Sequence, residues 1–137
     1  MNKIGTYVGI RPAAATKEYL NSWFISNSHI KPEQDLHLTL LYSRNKIPVK
    51  LNRDFHVATP KGFDIFGECL VLLLNIPSAV ARHNYFVSRG GTHDFLCYNP
   101  HMTLSSVGDD FDLKSLTPFN FNLVFDSEYW EDLDLSK

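Results

Sequence analysis

Two stretches of the chain alternate polar and apolar residues in the same order: His37-Leu38-Thr39-Leu40 and His101-Met102-Thr103-Leu104. A period of two is that of a half-buried β-strand, on which residues i and i+2 share a face. Each copy therefore carries a His/Thr pair on one face and an apolar pair on the other. One such tetrapeptide is a weak signal, but its recurrence in so short a chain is a strong one. Strands are expected over residues 36–43 and 100–107.

The remaining pattern fills in around them. Residues 4–10 read as a strand of β-branched and aromatic residues, ended by Arg11-Pro12. Pro12 suits a helix's first turn, and Tyr19, Leu20, Trp23 and Phe24 recur at helical spacing, so a helix should run from there to about residue 27. Trp23 reads as a core anchor. After a polar connection over 44–54, strands are expected over 55–59, 62–66 and 69–74. The last has no alternation (Leu70-Val71-Leu72-Leu73-Leu74), as in a strand buried on both faces. Pro77 opens a second helix that should stop at Gly90-Gly91. A loop over 92–100, an acidic linker over 108–118, a strand over 119–125 and a tail over 127–137 complete the chain. Asp109, Asp110 and Asp112 read as a solvated acid run.

This order contains a repeat. Strand, Pro-led helix, loop and His-x-Thr strand occur twice, with Tyr7 standing 30 residues before His37 and Val71 30 before His101. Two copies of one unit, related by a pseudo-two-fold, would bring both motif strands to a central groove. The expected architecture is a single α+β domain over residues 1–137. It has two pseudo-symmetric lobes of antiparallel β-sheet, with helices outside.

Composition narrows the chemistry. At 137 residues, with 44% hydrophobic and 20% charged residues, the chain is an ordinary globular protein. A formal net charge of −2 argues against gripping long nucleic acid, which usually takes a basic face. Cys69 and Cys97 have no metal-type spacing and read as buried reduced thiols of a cytosolic protein. The N-terminus does not look like a signal peptide, and residues 69–74, the longest apolar run, are too short to cross a bilayer. A cytoplasmic protein with no membrane partner is expected.

Two histidines across a groove can serve as acid and base on a phosphodiester. The unperturbed imidazole pKa of about 6.5 makes both forms accessible near neutrality. One takes a proton from an attacking hydroxyl or water, and the other gives one to the leaving oxygen. Thr39 and Thr103 could donate to non-bridging oxygens as phosphorus becomes five-coordinate. No ligand spacing for a metal is evident, and the chemistry calls for no cofactor. His29, His56, His83 and His93 lack a Thr at i+2 and read as surface or structural residues.

The paired His-x-Thr motifs, 64 residues apart, and the duplicated strand–helix–strand order resemble the two-histidine phosphoesterase superfamily, with its RNA-ligase-like fold. Within it, Thr6-Tyr7-Val8-Gly9-Ile10, the strand from His37 to Ser43 and the Glu128/Trp130 tail are similar to the phage anti-CBASS nucleases. That resemblance implies cleavage, without metal, of 3′–5′ bonds in cyclic di- and trinucleotide signals, evading host defence from the host cytoplasm. It makes His37 and His101 the acid/base pair, in unassigned order, and Thr39 and Thr103 the phosphate binders. Tyr7 could stack on a base, Arg11 could pair with phosphate, and Glu128 and Trp130 could close over a purine. Two other readings stay open: an RNA 2′,3′-cyclic-end phosphodiesterase, and a non-catalytic cyclic-nucleotide sponge.

Overall fold

The period-two segments do become strands, and their pairing decides what faces the groove. A computed structural model describes residues 3–94 and 97–136. The expected 92–100 loop and 127–137 tail lie partly outside the described residues, at positions 95, 96 and 137. The elements run β1 (Ile4–Pro12), α1 (Ala14–Ser26), β2 (Leu38–Ser43), β3 (His56–Phe66), β4 (Cys69–Asn75), α2 (Pro77–Ser88), β5 (His101–Ser106) and β6 (Leu123–Asp134). The architecture is α+β. Six strands join edge to edge in the order β1-β2-β5-β4-β3-β6, and the ring closes with every recorded pairing antiparallel.

The ring divides into two three-stranded halves, β6-β1-β2 and β3-β4-β5, each with long internal ladders. The seams are thin. β2 meets β5 at one register pair, Leu38 opposite Met102, and β3 meets β6 over Val57 and its two neighbours. One face of the strands packs with the helices into a common core: Val8, Ile10, Leu38, Leu40, Leu72 and Met102 against Leu20, Trp23 and Phe24 of α1 and Phe86 of α2. Each such side chain contributes about 1.5–3 kcal/mol on burial. The other face carries Thr39 and Thr103 among Tyr7, Val71, Leu73 and Phe66. Among the described residues, no helix is long and apolar enough to cross a membrane.

Several boundaries differ from expectation, each for a physical reason. Pro12 ends β1 opposite Phe125, after a register shift, and α1 starts two residues later. Residues 55–59 and 62–66, expected as two strands, merge into the one strand His56–Phe66, with Phe55 outside it. Pro60 stays in the ladder because a bulge falls between it and Gly62, whose φ of 145° suits glycine. Phe119 and Phe121 do not join the last strand. They stack together under α1, Phe119 against Trp23 and Phe121 against Tyr19, and β6 begins at Leu123. The tail is instead the body of that strand, paired with β1 from Phe125 to Asp134. Cys69 is half-buried and Cys97 is exposed, so the expectation of two buried thiols fails for Cys97, which sits in the loop before β5.

The repeat is real in topology but its frame shifts. Gly9 lies opposite Thr39, whereas Val71 lies opposite Thr103. Val71 therefore takes the place of Gly9 and not of Tyr7, and Cys69 is the counterpart of Tyr7. The equal 30-residue spacings hide a second unit that is two residues longer.

Candidate functional site

The one register pair between β2 and β5 sets the site. With Leu38 opposite Met102, a step to either side puts position 37 across from 103 and position 39 across from 101. His37, Thr39, His101 and Thr103 thus share one face, with the histidines as diagonal neighbours. Such diagonal positions lie about 7–8 Å apart.

Both histidines are held in the same way. Nδ1 of His37 donates to the Asp35 carbonyl at 2.8 Å, and Nδ1 of His101 to the Asn99 carbonyl at 2.8 Å. A carbonyl can only accept, so Nδ1 carries the hydrogen and Nε2 is the nitrogen left to exchange a proton. Each ring is held by the carbonyl two residues before it, a detail common to both copies. The surroundings are not symmetric. His37 meets the Tyr7 and Tyr129 rings edge-on, at centroid distances of 6.1 and 6.4 Å, whereas His101 meets the edge of Phe66 at 4.9 Å.

Tyr7 is buried beside the first motif, its hydroxyl 2.9 Å from Thr39 Oγ1. Burial pushes the Tyr7 hydroxyl well above its ordinary pKa, so it stays protonated. Arg11 lies on the same face, its guanidinium 3.8 Å from the Tyr129 ring centre and its Nε 2.9 Å from Asp35 Oδ1. That bond holds the Asp35 carboxyl below its usual range and ties the side chain of Asp35 while its carbonyl ties His37.

Glu128 and Trp130 do not join this group. In β6, Tyr129 lies opposite Gly9 and Glu131 opposite Tyr7, so Glu128 and Trp130 turn to the other face. The Glu128 carboxylate, 1% exposed, is bound to Arg82 at 2.7 Å and to the Asn52 amide at 3.1 Å. Tyr129 takes the place expected of its neighbours. Gly9 makes this possible, since a Cβ there would stand 2.8 Å from the Tyr129 ring.

Beside Thr39 and His101 opens a cavity of about 560 Å³, lined also by Tyr42, Phe66, His83 and Tyr98. The His83 and Tyr98 rings stack at 4.1 Å. The sequence pattern gave no sign of either ring in this place, because neither lies on a motif strand. Among the described residues, no group of three or more His, Cys, Asp or Glu side chains is arranged to hold a metal.

A family described as anti-CBASS protein Acb1 matches residues 4–137. The chain belongs to that family. Its relatives named anti-CBASS protein Acb1 include one from Vibrio phage KVP40, 36% identical across 96% of this chain and 89% of the relative. Another, from Acinetobacter phage Ac42, is 34% identical across 77% of this chain and 73% of the relative. The one from Enterobacteria phage T4 is 36% identical across 76% and 70%. The family match spans every strand of the ring, and with it both histidine motifs, the cavity and β6.

Proposed function

We propose that this Acb1-family chain is a phosphodiesterase that cleaves 3′–5′ bonds of cyclic di- and trinucleotide signals, using His37 and His101 as its acid/base pair and no metal. The observation that carries the reading is the matched pair of imidazoles. Each has Nδ1 fixed by the carbonyl two residues back, and each stands beside a Thr on adjoining antiparallel strands. In the reaction, the ribose 2′-hydroxyl attacks phosphorus as one Nε2 takes its proton. The P–O5′ bond breaks, and the other Nε2–H gives its proton to O5′. The products are a 2′,3′-cyclic phosphate end and a free 5′-hydroxyl. Thr39 and Thr103 donate to the non-bridging oxygens as charge builds there.

The cavity beside Thr39 and His101 has room for a base, with Phe66 and Tyr98 as apolar walls. Tyr7 and Tyr129 offer a second aromatic surface next to His37. Two base sites flanking one phosphate site suit a small cyclic ligand, and the charge of −2 fits a ligand with few phosphates.

The test is incubation with 3′,3′-cyclic GMP–AMP in the presence of chelator, with product ends identified by mass. Cleavage to a linear product bearing a cyclic phosphate is expected. His37→Ala and His101→Ala should each slow it by about 10²- to 10⁴-fold with the fold intact. The rate should follow a bell in pH, because one histidine must be neutral and the other charged. Opening of a 2′,3′-cyclic-ended RNA alone would mark an RNA-end phosphodiesterase, and tight binding with intact ligand recovered would mark a sponge. Dependence on added divalent metal would reject the mechanism.

A further inference from the structure

Both motif strands carry a bulge at the same place. On β2, Val8 pairs with Leu41 and Gly9 with Thr39, so Leu40 has no partner on β1. On β5, Leu70 pairs with Ser105 and Val71 with Thr103, so Leu104 has none on β4. Each bulge falls on the leucine after the motif threonine. A bulge re-aims the side chains beside it and leaves backbone groups off the ladder, which other groups must then hold.

The two halves meet that need differently. The Leu104 carbonyl accepts from the backbone amide of Glu33 at 2.9 Å. The Leu40 carbonyl accepts from His83 Nδ1 at 2.7 Å, and the neighbouring Thr39 carbonyl from the Tyr98 hydroxyl at 2.6 Å. His83 comes from α2 and Tyr98 from the loop before β5, so the second half grips the first half's motif by two consecutive carbonyls. Their rings lie nearly parallel, with 8° between planes, and His83 is buried. Burial raises the Tyr98 hydroxyl's pKa and lowers that of the His83 imidazole, which keeps Tyr98 a donor and His83 neutral.

We infer that His83 and Tyr98 are a stacked pair of positioning residues that hold the Thr39–Leu40 bulge, and through it aim the Thr39 hydroxyl at the reacting phosphate. This rests on the phosphodiesterase reading above. Both side chains line the cavity, but His83 Nδ1 and the Tyr98 hydroxyl are committed to the strand.

The test compares Tyr98→Phe, His83→Asn and His83→Phe with 3′,3′-cyclic GMP–AMP as substrate. Tyr98→Phe keeps the stacked ring and should lower kcat about tenfold, as for one lost hydrogen bond, with KM nearly unchanged. In a Thr39→Val background the same change should have little further effect, because there is no hydroxyl left to aim. His83→Asn, which retains a donor at the Nδ1 position, should keep most of kcat, and His83→Phe should lose it. A methyl NMR spectrum without ligand should show the Thr39 signal moved by Tyr98→Phe and the Thr103 signal unmoved. Equal losses of kcat in both backgrounds, or a rise in KM alone, would leave the pair as cavity wall and overturn the proposal. An unmoved Thr39 methyl overturns it whether or not the protein cleaves the probe, whereas failure of the wild type to cleave sinks only the phosphodiesterase reading.

Discussion

Tyr129 and Trp130 sit side by side in the chain and on opposite faces of one strand, so they make a sharp contrast. Tyr129 lies against Tyr7, His37 and Arg11, while Trp130 is 43% exposed on the far face. Tyr129→Ala should weaken binding of a cyclic dinucleotide by about 1–3 kcal/mol if a base stacks there. Trp130→Ala should leave affinity within about twofold, as surface changes usually do. Titration calorimetry with a histidine-inactivated protein would read both. Gly9→Ala should mimic Tyr129→Ala, because the added methyl takes the ring's space. The sequence made the four motif residues legible because period two fixes which side chains share a face within a strand. It could not make β6 legible. A tail holding Glu128, Tyr129, Trp130 and Glu131 presents either the even or the odd pair, and only pairing with β1 selects the odd one.

Helix α2 does more than cover its half. Arg82 crosses from it to Glu128 of β6 in the other half, in a pair whose side chains are 12% and 1% exposed. Arg82 also donates to the Lys50 carbonyl at 2.6 Å, so the 44–54 connection is fastened at the same point. Glu128→Ala strips a mostly buried guanidinium of its carboxylate and should destabilise the fold by about 3–5 kcal/mol. Denaturant midpoints would measure the loss, and an unchanged midpoint would mean that water replaces the carboxylate. The double change Arg82→Met with Glu128→Leu should recover much of it. None of this could be read in advance, because the partner of a charge on a strand is a tertiary matter. The helices and the motif strands were legible, since Pro12, Pro77 and Gly90-Gly91 punctuate the chain near their ends. The long β3 was not, because Pro60 and Gly62 look like breaks until a bulge accommodates both.

The assembled protein carries two buried histidines outside the motifs. Burial lowers the pKa of His56 and of His83 below the ordinary 6.5. Above that value both are neutral, folded or unfolded. Below it the unfolded chain takes up protons first, so stability should fall as pH drops beneath about 6.5, then level off once the folded form is protonated too. Urea midpoints at pH 8 and pH 5 would show the fall, and His56→Asn should lessen it. An equal midpoint at both pH values would contradict the assignment. The two-half architecture was foreseeable from the repeated unit, but the two-residue shift between the copies was not, since equal spacing in sequence says nothing of register. The position of β6 also sets an order of events during synthesis. The half built from β3, β4 and β5 is contiguous and can form as soon as residue 106 has left the ribosome. The other half needs Ile4 to find Asp134, so β1 must wait, unpaired on one edge, until nearly all of the described chain has been translated. Chains cut after residue 122 and stalled behind a linker long enough to clear the exit tunnel should therefore be protease-sensitive in β1, yet already resistant within β3, β4 and β5.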